Sequence, residues 1–335
     1  MSRRAIFVLL LLIALLLGSA ELFARLIVQR HSKVEVMVTR EHREALALRP
    51  AANGTPKQLL IVGNSFVGMD LDLPTLQQRL APAWNVHRYW LYNTYYNDWY
   101  YGLKRLLAEG SRPDAIAVTF ATTSFQISTI RGDYSSYYLF QPRDLLSLES
   151  AADLDNTETA NLLFARYSRF YGLRSEIRKV LLQSVLHDLP RMYNLFHPPS
   201  GTPLKGATVS SAITPRLAAL EQLTSRYGVR LLIIVPPLPR PGQEFQPEMR
   251  QAAARAGITV VMPYSSHDLP ASLYIDDVHL SPEGALKFSE TIAPLLADAL
   301  GATPQPGVDA SDFHRDHPQA PVVGIPAALA VQHRP

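Results

Sequence analysis

The chain has 335 residues, no cysteine, and 32 Lys and Arg against 29 Asp and Glu, a formal net charge of +3. This length accommodates one large α/β domain with appendages. Without cysteine the chain has no disulfide, no thiolate metal site and no cysteine nucleophile. The small positive surplus is spread along the chain and forms no basic block, so the composition does not indicate nucleic-acid binding.

The first 28 residues have the pattern of a signal anchor or a signal peptide. Arg3 and Arg4 precede an apolar run over residues 5–17, small residues follow at 18–20, and the apolar pattern resumes up to residue 28. The small residues suit cleavage by signal peptidase, whereas the resumed apolar pattern favours an uncleaved transmembrane helix, which is the preferred interpretation; a buried core helix is the third alternative. An anchor and a cleaved signal both predict that the rest of the chain lies outside the cytoplasm, periplasmic or extracellular, and that it is secreted after cleavage.

The polar sequence of residues 29–56 predicts a helical stalk that ends in a linker rich in Pro, Gly and Asn. A domain follows over residues 57–300, in which apolar runs typical of buried strands alternate with helical patterns. The predicted strands are 58–62, 86–91, 115–120, 229–235 and 258–262, and the predicted helices between them are 73–80, 99–109, 215–227 and 247–256. This alternation predicts a three-layer α/β/α sandwich around a central parallel sheet.

Two stretches break the alternation. Residues 124–212 are too long for a simple crossover and contain helical patterns at 160–170 and 173–189, which predicts an inserted helical subdomain. Residues 301–335 turn to Pro, Ala, His and Asp without a sustained apolar period, which predicts a disordered tail.

Three residues have the chemistry of a serine nucleophile and its helpers. Ser65 directly follows the first predicted strand, and the only Asp-x-x-His of the chain places Asp276 and His279 on the loop before a helix that Ser281 and Pro282 begin. A serine hydroxyl needs an imidazole to take its proton and a carboxylate to orient that imidazole. Because ligands of open α/β sheets bind at the carboxyl ends of the strands, the strand end and this loop are expected to meet.

The blocks Gly63-Asn64-Ser65 and Asp276-Asp277-Val278-His279 resemble, in position and order, the first and last blocks of the SGNH or GDSL hydrolase superfamily. The resemblance covers roughly residues 58–299. It implies a flavodoxin-like α/β/α fold, Ser65 as nucleophile, His279 as general base and acid, and Asp276, rather than its neighbour Asp277, as the carboxylate.

The middle blocks of the family, which supply an oxyanion hole, are altered. The family has a glycine after strand two and an asparagine after strand three, beside the backbone N–H of the nucleophile, here that of Ser65. In this chain Asn97 is the positional substitute for the glycine, and Thr122 and Thr123 stand where the asparagine is expected. All of these side chains have the alternative role of capping the segments that follow them.

Anchored members of the superfamily with such a first block resemble enzymes that remove or transfer O-acyl groups, often acetyl, on cell-envelope or exported polysaccharides. The resemblance therefore implies a serine esterase or O-acyltransferase with an acylated carbohydrate or other ester as substrate, the membrane as partner and, for transfer, a membrane-embedded acyl donor. An aromatic stretch over residues 89–101 could stack on sugar rings but is equally typical of a core, and arginines of the insert could meet an anionic polymer. The alternative is a weak or inactive domain that binds glycan or partner proteins.

No cofactor is predicted. The chain has no Gly-rich phosphate loop, and its histidines lack a convincing set of metal ligands. The expected chemistry is a cofactor-free serine mechanism.

Overall fold

The computed structural model describes residues 2–152, 154–178, 206–239, 245–265 and 268–302. Five strands form one sheet: Lys57–Gly63 (β1), Trp84–Trp90 (β2), Ala115–Thr119 (β3), Arg230–Ile234 (β4) and Thr259–Val261 (β5). The N-terminal helices are Arg3–Phe23 (α1), Gln29–His31 (α2) and Lys33–Ala47 (α3). The helices up to the insert are Ser65–Met69 (α4), Leu73–Leu80 (α5) and Tyr96–Ala108 (α6), and those of the insert are Gly132–Tyr138 (α7), Leu145–Ala151 (α8), Asn156–Tyr167 (α9) and Arg169–Gly172 (α10). The last three are Gly206–Ser225 (α11), Gln246–Ala256 (α12) and Pro282–Leu300 (α13).

All pairs in the sheet are parallel, and the strand order is β2-β1-β3-β4-β5. This is the strand order of flavodoxin-like doubly wound sheets. The chain adds β2 on one side of β1 and then β3, β4 and β5 on the other side, so the strand order reverses at β1. Gly63 at the end of β1 is in register with Trp90 of β2 and Thr119 of β3. The predicted α/β/α fold is therefore confirmed, and three strand ends meet at one edge.

The two faces of the sheet build separate cores. Along β1, Leu60 and Val62 pack into one cluster with side chains of α3, α6, α11 and α12, whereas Leu59 and Ile61 pack into another with those of α5 and α13. The strand is buried on both sides because side chains alternate between faces, which explains its continuous apolar sequence.

Helix α3 packs on the domain, so the predicted stalk over residues 29–56 is wrong in this part. Val38 and Ala45 are fully buried, and Glu41 forms an ion pair of 2.8 Å with Arg88 of β2. The sequence misled because three glutamates and two arginines gave α3 the appearance of a solvated helix. The linker that ends this stretch lies against the domain too, since the backbone N–H of Ala51 donates to Asp114.

The N-terminal helix is long and apolar enough to cross a membrane. It runs from Arg3 to His31 through a π-helical segment, Ala24–Val28, and none of its most apolar stretch is buried against the domain. A signal sequence passes the same test of length and composition. The side of the membrane on which the domain lies remains a prediction.

The predicted insert, residues 124–212, contains α7 to α10 and the first turns of α11 in its described part, so α11 begins nine residues before the predicted helix start at 215. The predicted helix at 160–170 consists of α9 and α10, which are separated at Ser168, the N-cap of α10. Lys104 of α6 joins the insert through an ion pair of 2.6 Å with Asp144. The predicted helix at 173–189 lies largely outside the described residues, as does the predicted tail from residue 303 onward.

Candidate active site

Ser65 stands at the turn between β1 and α4. It is the first residue of α4, and Asn64 caps this helix by accepting the backbone N–H of Phe66 at 3.2 Å. Gly63 precedes the turn with φ +157°, and a Cβ there would lie 2.3 Å from the backbone oxygen of Thr119. Glycine is therefore required for β1 and β3 to approach each other this closely behind Ser65.

Asp276 and His279 lie on a tightly folded loop before α13. Ser281 caps α13 by accepting the backbone N–H of Gly284 at 3.1 Å, which confirms the predicted helix start. Asp276 Oδ1 accepts the backbone N–H groups of Val278 at 2.7 Å and His279 at 2.6 Å. The carboxylate thus folds its own loop while its other contacts orient the imidazole.

The structure brings the three predicted catalytic residues together. His279 Nε2 lies 2.8 Å from Ser65 Oγ, and His279 Nδ1 lies 3.0 Å from Asp276 Oδ2. With the proton on Nδ1 donated to Asp276, Nε2 is free to accept the Ser65 hydroxyl proton. The Phe66 ring packs beside the imidazole with the ring centres 5.6 Å apart. This arrangement is that of a Ser-His-Asp triad.

Electrostatics prepare the imidazole for proton transfer. Burial acts to lower the pKa of His279, but the hydrogen bond with Asp276 and the charge of that carboxylate outweigh it, so the pKa lies above the ordinary value of 6.5. Burial acts to raise the pKa of Asp276, yet hydrogen bonds from His279 and Val278 hold it below its usual 3.8. Asp276 is therefore ionised at neutral pH and able to stabilise an imidazolium.

Asp70 is a further carboxyl behind the histidine that sequence reasoning missed. It is fully buried at the end of α4, its Oδ1 accepts the backbone N–H of Leu280 at 3.1 Å, and its Oδ2 has no hydrogen-bond partner within the described chain. Burial raises the pKa of Asp70 to about 8, although the charge of His279 opposes this. Its only signal in the sequence is a charged residue in an apolar surrounding, five positions after Ser65.

The predicted oxyanion-hole residues lie at the start of α4, on α6 and in the turn after β3. The backbone N–H of Ser65 is the first of a helix and has no acceptor within that helix. Asn97 is buried, and its amide donates to the backbone oxygen of Ser128 at 2.7 Å, which holds the start of the insert. Thr122 is buried and Thr123 half-buried in the 3-10 turn that follows β3, the position expected for a donor. Their oxyanion role remains a proposal.

The aromatic stretch after β2 is mostly core. Five of its rings are buried: Tyr89, Trp90, Tyr96, Trp99 and Tyr101. Trp99 donates its indole N–H to Thr94 at 2.9 Å, and its ring packs edge-on against Tyr89. Tyr92, whose ring contacts Trp90 at 4.5 Å between centres, is half-buried at the sheet edge that carries Ser65.

Within the described residues, no group of three or more His, Cys, Asp or Glu side chains is placed to hold a metal ion. His187, His197, His267, His314 and His317 lie outside these residues.

No protein-family model and no curated protein matches the chain. Solved structures that resemble it include TesA, at 15% sequence identity and a TM-score of 0.37, with 72% of this chain and 99% of TesA covered. Another is a mutant of Axe2, an acetylxylan esterase from Geobacillus stearothermophilus, at 11% identity and a TM-score of 0.35, with 75% and 96% covered. At these values the likeness decides nothing about substrate, and the chemistry of the site rests on its own geometry.

Proposed function

We propose that this chain is a serine esterase of the SGNH type that removes O-acyl groups, acetyl among them, through an acyl-Ser65 intermediate. The observation that carries the proposal is the unbroken hydrogen-bonded series from Ser65 Oγ to His279 to Asp276, with distances of 2.8 and 3.0 Å. A serine nucleophile requires an imidazole that takes its proton and a group that orients this imidazole, and His279 and Asp276 have these positions.

The residues have defined tasks in this mechanism. His279 Nε2 takes the hydroxyl proton as Ser65 Oγ bonds to the ester carbonyl carbon, and the imidazolium then gives that proton to the departing alcohol oxygen as the C–O bond breaks. Water adds to the acyl-enzyme with His279 as base, which releases the carboxylic acid and restores the Ser65 hydroxyl. Asp276 stays ionised and stabilises the imidazolium in both steps.

The carbonyl oxygen becomes negative in both transition states and needs donors. The Ser65 backbone N–H supplies one, and the hydroxyl of Thr122 or Thr123 is the second group proposed, with Asn97 third because its amide already holds Ser128. Each such donor contributes roughly 3 kcal/mol to the transition state. A site with fewer than the usual donors predicts slow turnover on simple esters.

An acylated carbohydrate outside the cytoplasm is the proposed substrate class. The N-terminal helix of 29 residues supports an anchor or an export signal. The half-buried Tyr92 at the sheet edge offers an aromatic face to a sugar ring. If a sugar hydroxyl replaces water in the second step, the same residues perform O-acyl transfer, and the acyl group then comes from a membrane-embedded donor.

The test is an acetate-release assay with the full-length chain in detergent, using acetylated xylooligosaccharide and 4-nitrophenyl acetate. Ser65→Ala is expected to abolish release from both, and Ser225→Ala, an exposed serine on α11 far along the chain, to leave it unchanged. A parallel reaction contains an unacetylated acceptor glycan. If the acetyl group is found on this glycan and not as free acetate, the chain is a transferase. Equal rates in the wild type and Ser65→Ala would overturn the enzymatic proposal and favour a glycan- or partner-binding domain.

A further inference from the structure

A cavity of about 480 Å³ lies where the N-terminal helix meets α3, α6 and the insert, and it is not the triad crevice. Four arginines line it, one from each of these parts: Arg25, Arg43, Arg105 and Arg166. Among the described residues of its lining, none is Asp or Glu. The cavity is therefore positively charged and open to a ligand.

The positive charge is only partly compensated nearby. Arg25 pairs with Glu21 at 2.6 Å and Arg105 with Glu109 at 2.8 Å, whereas Arg43 is exposed and Arg166 donates to the backbone oxygen of Tyr137. Burial lowers the pKa of Arg166, and repulsion by the charge of Arg105 lowers it further. An anion in the cavity would relieve this repulsion.

His42 contributes a ring to the wall of this cavity. Its Nδ1 is buried without a hydrogen bond in the described chain. Burial and the charge of Arg105 lower the pKa of His42 to about 4, so the ring is neutral at physiological pH.

The cavity lies at the end of the apolar helix. Glu21 accepts the backbone N–H groups of Arg169 at 2.9 Å and Phe170 at 3.0 Å and the Ser168 hydroxyl at 2.9 Å. These bonds fix α10 against the last turns of α1. A bilayer that surrounds the apolar residues of α1 would therefore end close to this junction.

Exposed aromatic rings surround the same junction. Phe164, Tyr167 and Phe170 are 60, 66 and 39% exposed, and Tyr167 also lines the cavity. Large rings at this level are typical of the membrane interface, where arginines bind lipid phosphates. The rings and the arginines thus belong to one surface.

We propose that this cavity binds the phosphate group of an anionic membrane lipid, with Phe164, Tyr167 and Phe170 inserted among the headgroups. Arginine suits a phosphate because its planar guanidinium donates two parallel hydrogen bonds to the oxygens. Bound lipid would hold the domain at a fixed height and orientation above the membrane, beyond what a single helical anchor provides.

The test is native mass spectrometry of the full-length chain in neutral detergent, titrated with phosphatidylglycerol, phosphatidylcholine or inorganic phosphate. Phosphatidylglycerol is expected to bind at least about tenfold more tightly than phosphatidylcholine. Arg43→Gln and Arg166→Gln are each expected to weaken phosphatidylglycerol binding roughly tenfold, the loss expected for a charge-assisted hydrogen bond. Arg255→Gln replaces an exposed arginine on α12, is the matched control for the exposed Arg43, and should change nothing.

Two results would overturn the proposal. One is phosphatidylglycerol binding that both cavity variants leave unchanged; the other is binding of inorganic phosphate alone, which would assign the cavity to a soluble anion. A second measurement uses the absence of cysteine: a nitroxide on Phe164→Cys in lipid nanodiscs should be more accessible to oxygen than to a water-soluble nickel complex, unlike one on Leu295→Cys of α13. Equal accessibility at both positions would contradict insertion of the rings.

Discussion

Asp70 Oδ1 accepts the backbone N–H of Leu280 at 3.1 Å, so a buried carboxyl at the end of the helix that Ser65 begins holds the residue next to His279. The contact joins two segments separated by 210 positions in the sequence. A second contact supports it, since the backbone N–H of Asp72 donates to Ser289 of α13 at 2.7 Å. The distance between Ser65 and His279 is therefore set by the junction of α4 and α13 as well as by the triad itself.

Asp70→Asn should make the stability of the chain less dependent on pH. Asp70 has a folded pKa of about 8, raised by burial from its ordinary 3.8, so its stabilising proton is present at low pH and is lost as the pH rises through 8. Between pH 5 and pH 9 the melting temperature of the wild type should fall further than that of Asp70→Asn. Thermal unfolding of the full-length chain in detergent measures both.

Asp268→Asn is the matched control for Asp70, because Asp268 is an exposed carboxyl that caps its own loop. It should follow the wild type over the whole range. Parallel curves for the wild type and Asp70→Asn would show that Asp70 is ionised in the folded chain and would contradict its protonated state.

The pH profile of ester hydrolysis should report the raised pKa of His279. The imidazole acts as base only when neutral, so kcat/KM should rise with pH and reach half its maximum above pH 6.5. Asp276→Asn removes the partner that raises this pKa, and it should both lower kcat by about 10⁴-fold and move the acid limb to lower pH. Steady-state hydrolysis of 4-nitrophenyl acetate from pH 5 to 9 measures both effects.

If the acid limb of the kcat/KM profile stays at the same pH in Asp276→Asn, the group that titrates in this limb is not His279. Asp277→Asn is the control, since the neighbouring carboxylate is outside the triad and should leave the position of the limb unchanged. A larger loss in Asp277→Asn than in Asp276→Asn would reverse the assignment of the two residues.

The ion pair between Glu35 and Arg169 should be strongly sensitive to the loss of one partner. Both side chains are almost fully buried, and Tyr138 donates to Glu35 at 2.9 Å while the Arg169 guanidinium stacks on the Tyr137 ring at 3.9 Å. Glu35→Gln leaves an unpaired buried cation and should lower the free energy of unfolding by about 3–5 kcal/mol. Chemical denaturation of the full-length chain in detergent measures this.

The surface pair of Arg40 and Glu44 on the same helix α3 provides the control. Its atoms are 3.8 Å apart and both side chains are about half-exposed, so Glu44→Gln should cost no more than about 1 kcal/mol. If Glu35→Gln and Glu44→Gln lower the free energy of unfolding by similar amounts, the Glu35–Arg169 ion pair does not join α3 to the insert.

The strands and the triad were predictable because each has a local signal. The continuous apolar run of β1 predicted residues 58–62 and the structure has Lys57–Gly63, and α5 was predicted with its observed ends. Ser65 follows a strand, and His279 precedes the Ser-Pro start of α13. Parallel topology then brings both to one edge of the sheet without further information.

The features that were missed depend on tertiary contacts. Buried Glu35 and Glu41 appear solvated in the sequence, because only the position of Arg169 and Arg88 in space makes their burial favourable. Asp70 and the four arginines of the cavity have no local pattern either, since each cluster joins residues from separate segments. The amide of Asn97 was expected at an oxyanion, and its bond to Ser128 depends on the path of the insert.

The most direct test of the account is the site at which a fluorophosphonate reacts with the full-length chain. Tryptic mass spectrometry should place one phosphonyl adduct on Ser65, His279→Ala should slow its formation at least about 100-fold, and Ser65→Ala should abolish it. Ser225→Ala should react like the wild type. An adduct on another serine, or one on Ser65 that forms at the same rate without His279, would contradict the proposal that Ser65 is a nucleophile activated by this histidine.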